Sequence, residues 1–197
     1  MKRKYHKRIR AILFVCFLCP HTLVLANNIG QFAEFSLGMV GSSYFHELGH
    51  AGVAKLYGAD IHAVRISKTQ FKLPHSLSNK KKVASLRSIA LAGFLTEILA
   101  TELIFQNKSW HNSHVALGWM STSIYTSLVN PFRFYILGKK KNDLAVYEKY
   151  GGDPLLPSLI MAAYAVWIID RIQKSTQIPS ELGEELFVFP VIFAVEL

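Results

Sequence analysis

The sequence predicts an all-α membrane protein: a bundle of about four transmembrane helices, with a small β hairpin after the first of them. Three observations predict it. Apolar residues make up 51% of the 197 and the mean hydropathy is +0.24, both high for a chain that folds in water. Uncharged stretches recur, the clearest being the 18 positions 115–132, close to what a bilayer span needs. The 22 Lys and Arg outnumber the 13 Asp and Glu, a formal charge of +9, and they cluster. Six lie in the first ten positions, and most others lie between 60 and 82 and at 139–141. Basic clusters beside apolar segments follow the positive-inside rule. No basic face interleaved with aromatics is present, so nucleic acid is not an expected partner.

In chain order, residues 1–10 are basic, 11–19 apolar, and Val24-Leu25-Ala26 precedes polar Asn27-Asn28. This predicts a signal peptide or signal anchor over 1–26, which places residue 29 outside the cell. Cys16 and Cys19 lie within it. With no further cysteine to complete a metal site, they read as small apolar residues of that segment.

Residues 27–174 form the expected membrane-embedded core. The first helix covers 29–57, with Gly38, Gly41, Gly49 and Gly52 thinning it for close helix contact and Gly58 stopping it. Over 59–73 the period changes to alternation, best at 61–66, which predicts two short strands. Lys80-Lys81-Lys82 closes that loop. The segment 83–106 is apolar but holds Arg87, Glu97 and Glu102, so it does not face lipid all round. The span 115–132 is rich in Ser and Thr and ends at Asn130-Pro131. A short helix is expected over Leu144–Tyr150 with Asp143 at its start, and a last span over 154–169. The tail 175–197 has no predicted role. Lys clusters place the 59–82 and 138–153 loops in the cytoplasm, and the lysine-poor 107–113 loop outside. The expected location is the plasma (inner) membrane, with the site below facing the cytoplasm.

The chemistry lies in His46-Glu47-Leu48-Gly49-His50. Histidines four apart share one helix face, and two imidazoles so placed can hold one Zn²⁺. Glu47 can act on a water activated there. A catalytic zinc site has a third protein ligand and an open position. Val53 and Leu56 stand where the metzincin pattern needs Gly and His, so the ligand comes from elsewhere. Glu97, Glu102, Asp143 and Asp153 are the candidates; for Asp143 and Asp153 the competing role is starting a helix. Ser121, Thr122, Ser123, Thr126, Ser127 and Asn130 either line a water path or hydrogen-bond between helices.

HELGH in a membrane helix, Gly58-Ala59-Asp60-Ile61 leading into strands, Leu91-Ala92-Gly93-Phe94-Leu95, and Asn130-Pro131 followed by Asn142-Asp143-Leu144-Ala145 together resemble the site-2 proteases. These are intramembrane zinc metalloproteases of the M50 type, and the likeness is to their compact M50B-like members. The resemblance covers roughly 35–150, as judged from the motif positions. The chain departs from the family at Phe94, at Glu97 where the family has Asn, and at NDLA in place of LDG. The resemblance implies a zinc endopeptidase with His46, His50 and Asp143 as ligands and Glu47 as general base. It implies membrane-anchored protein or peptide substrates, which the hairpin edge can receive as an added strand. Two other functions fit the residues: a secreted soluble HExxH zinc peptidase, and an inactive membrane scaffold with a vestigial metal site. The oligomeric state is open.

Overall fold

A computed structural model describes residues 29–107, 110, 113–138 and 142–175. The predicted signal segment 1–26, with Cys16 and Cys19, and all but the first residue of the 175–197 tail lie outside the described residues. Within them the chain runs α1 (Ile29–Leu56), β1 (Asp60–Arg65), β2 (Lys68–Lys72), α2 (Asn79–Gln106), α3 (His114–Tyr135), α4 (Asp143–Lys149) and α5 (Leu155–Ser175). The fold is mostly helical with one small two-stranded sheet, as the sequence predicts. Among the described residues, two helices are long and apolar enough to cross a membrane, α2 and Leu155–Lys174 of α5, against the about four spans expected.

Helix α1 ends in a Schellman arrangement. The Ala59 amide donates to the Ala54 carbonyl at 3.0 Å and the Gly58 amide to the Lys55 carbonyl at 2.8 Å. Gly58 has φ +76°, which a side chain would resist. The chain then turns straight into β1, which pairs antiparallel with β2, Val64 opposite Thr69, with a bulge between Ile61 and Ala63. Ala54, Ala59, Leu73 and Ile89 form a small core that pins the hairpin base to α1 and α2.

Three boundaries differ from the sequence expectation, the first being that α5 runs on to Ser175 past the expected end at 169. Helix α2 starts at Asn79, so Lys80–Lys82 occupy its first turn instead of closing a loop. Ser78 caps it, and a hydroxyl cap can start a helix in polar sequence before any apolar period is visible. Helix α3 continues through Pro131 to Tyr135. Proline removes one amide donor and crowds the preceding turn, but so near the helix end few later bonds depend on it. The neighbouring Asn130 carbonyl is met by Asn142 Nδ2 at 3.1 Å.

Helix α1 packs against both α2 and α3. A Cβ at Gly38 would strike the Val115 carbonyl, and one at Gly118 the Phe35 carbonyl. The backbones of α1 and α3 therefore touch at two reciprocal glycine positions. Gly49 rests against Ala92 and Thr96 of α2, whereas Gly52 faces open space and serves no packing role. The largest core joins α2, α3 and α5 through Phe105, Trp119, Met120, Ile124, Ile168 and Ile172. A smaller one, Phe94, Leu144 and Met161, seats α4 against α2 and α5. On the outer side, α2 exposes Leu95, Leu99 and Leu103, one turn apart.

Candidate metal centre

His46 and His50 stand one turn apart on α1, their ring centroids 4.8 Å apart. His46 Nε2 and His50 Nε2 are 3.2 Å apart. Asp143, the first residue of α4, brings Oδ2 to 3.0 Å from His46 Nε2 and Oδ1 to 3.5 Å from His50 Nε2. Around a tetrahedral ion with bonds of about 2.0–2.1 Å, neighbouring donors are about 3.4 Å apart. The three separations bracket that spacing.

The partners of the far ring nitrogens assign the tautomers. His50 Nδ1 lies 2.6 Å from the Ile89 carbonyl, and His46 Nδ1 lies 3.2 Å from Glu97 Oε2. A carbonyl and a carboxylate accept, and with those partners each Nδ1 is assigned the hydrogen. In neutral imidazoles both Nε2 atoms then present lone pairs, and Asp143 presents another. Such a convergence is repulsive unless protons or a cation occupy it. Two imidazoles and a carboxylate are a donor set that suits a divalent metal, and His46, His50 and Asp143 could hold one. Gly93 leaves the room: a Cβ there would stand 2.6 Å from each Nε2.

Burial would push the Asp143 carboxyl up. When protons rather than a cation occupy the convergence, the hydrogen bonds and positive charge of His46 and His50 outweigh it and hold the group well below the ordinary carboxylate range. Asn142 aims it, accepting from the Ala145 amide at 2.9 Å while its Nδ2 holds the Asn130 carbonyl. The cap of α4 is Asn142, and Asp143 is left free to face the histidines.

The other acidic candidates go elsewhere. Glu97 is buried behind His46, on the ring nitrogen away from the convergence. Glu102 pairs with Arg171 at 2.9 Å and accepts from Tyr164. Asp153 accepts from the Leu155 amide at 2.9 Å and starts α5. Glu47 is buried, and its Oε2 accepts from Thr69 Oγ1 at 2.9 Å. The same hydroxyl lies 2.8 Å from the Glu47 carbonyl, so β2 braces the residue beside the histidines. Thr69 shares its strand face with Phe71, and alternation is the signal that places it inward. Of the α3 hydroxyls, Ser123 meets Thr101 and Thr126 meets Glu97. These two act between helices.

Fold and site together define a helical protein with a two-histidine, one-aspartate centre able to take a metal ion. No protein-family model, curated protein or solved structure matches this chain.

Proposed function

We propose that the protein is a zinc-dependent intramembrane endopeptidase acting on membrane-anchored proteins or peptides. The observation that supports this most directly is the meeting of His46, His50 and Asp143 Oδ2 within 3.0–3.2 Å of His46 Nε2, beside a buried Glu47 that is not part of the donor set. When bound, the ion supplies Lewis acidity, acidifying water and polarising a peptide carbonyl near neutral pH. Glu47 would accept the proton of the attacking water and return it to the leaving amine. His46, His50 and Asp143 would fix the ion so that this exchange occurs at one place. Thr69 would hold the Glu47 carboxylate in a single rotamer, leaving its second oxygen for the proton. In this reading about four helices span the plasma (inner) membrane, with the centre toward the cytoplasm, and the outward leucines of α2 meet lipid.

The test is cleavage of single-span reporter peptides in vesicles holding the full chain. Glu47→Gln is expected to bind zinc as the wild type does and to lose roughly 10²-fold or more in rate, the usual contribution of a general base. His46→Ala is expected to lose both. Cleavage that persists in Glu47→Gln overturns the hydrolytic reading. Zinc uptake without any cleavage leaves a metal-bearing membrane scaffold.

A further inference from the structure

Glu97 has a role that the ligand set does not account for. Its side chain is 2% exposed, sits in the middle of an apolar helix, and ligates nothing. A buried carboxylate with no partners is strongly unfavourable, so its partners define its use. Ser42 Oγ of α1 donates to Oε1 at 2.9 Å. Thr126 Oγ1 of α3 lies 3.1 Å from Oε2 and 3.2 Å from Oε1. His46 Nδ1 lies 3.2 Å from Oε2. Two hydroxyls from two helices thus clamp the carboxylate, and its remaining acceptor capacity faces the Nδ1–H of one histidine. His50 has the equivalent service from a main-chain carbonyl, that of Ile89. His46, one turn earlier than His50, meets a side chain of α2 instead of its main chain.

We infer that Glu97 is the positioning residue of the metal centre: it locks His46 in the Nδ1–H tautomer with Nε2 turned toward His50 and Asp143. The inference rests on the metal reading above. An imidazole without a fixed partner on its far nitrogen can flip or change tautomer, and either change takes its lone pair out of the site. Ser42 and Thr126 act one step further out, by fixing the carboxylate.

The test is zinc affinity of the full chain in detergent by competition with a chromophoric chelator. Glu97→Ala is expected to weaken zinc binding by about tenfold to a hundredfold, as loss of such a partner does elsewhere. Glu97→Gln is expected to restore most of the affinity. Glutamine keeps one oxygen for the Nδ1–H, and the Ser42 and Thr126 hydroxyls can turn to accept from its amide. A mere packing peg between helices would give folded variants with wild-type affinity, and that result overturns the inference. The wild type supplies a measurement that needs no variant. With ¹¹³Cd²⁺ bound and histidine ¹⁵N-labelled, scalar coupling is expected at Nε2 of His46, and coupling at its Nδ1 would sink the idea. A wild-type chain that takes up neither Zn²⁺ nor ¹¹³Cd²⁺ removes the metal reading together with this one. Wild-type uptake with an unaffected Glu97→Ala removes this one alone.

Discussion

Gly93 decides how much space the two imidazoles have. A Cβ 2.6 Å from both Nε2 atoms is closer than any stable contact, and the rings cannot retreat without leaving Ile89 and Glu97. Productive constellations tolerate displacements of about 0.5 Å, so Gly93→Ala is expected to weaken zinc binding by at least ~tenfold. Gly52→Ala, beside the same histidines but facing open space, is expected to leave affinity unchanged and helix stability equal or higher. Parallel titrations of the two variants check both outcomes. The histidine pair is readable from the chain because its spacing alone sets its geometry. The parts that tune it are not. Glu97 reaches His46 across 51 positions and Thr69 reaches Glu47 across 22. No local pattern announces either pairing. Gly93 is visible in sequence only as a small residue, and its purpose depends on which helix lies opposite.

At the level of elements, the third donor of the centre arrives on the shortest of the described helices. Helix α4 has seven residues, too few to be stable by itself. It holds through the Asn142 cap, the Asn142–Asn130 bond next to Pro131, and the burial of Leu144 and Ala145. Asn142→Ala removes both hydrogen bonds. It is expected to destabilise the protein by about 1 kcal/mol and to weaken zinc binding, because Asp143 is no longer aimed. Thermal unfolding with and without zinc separates the two effects: a smaller zinc-dependent rise in Tm in the variant reports the lost aim. Helix order and the hairpin follow from periodicity, since apolar faces and alternation are local. The start of α2 at Asn79 and the run of α3 past Pro131 are not local in that sense. A cap in polar sequence and a partner for a helix-end carbonyl come from surroundings that apolar period does not report.

At the level of the molecule, the outward surface is the distinctive feature. Leu95, Leu99 and Leu103 of α2 are 53–67% exposed, and α5 exposes Leu156, Leu159, Ile160 and Val166. Stripes of this kind on a water-soluble monomer favour association. The chain is therefore expected to stay with membranes through an alkaline carbonate wash and to need detergent for release. Recovery in the soluble fraction would favour a secreted peptidase. His46 and Asp143 are 97 positions apart, so an ion gripped by both would act as a staple between the first described helix and the last third of the protein. Until translation has passed residue 143, a nascent chain would hold Glu47 and two of the donors but no complete cage. If the protein is the endopeptidase proposed above, its centre would stay unarmed until the helices that follow Pro131 have docked.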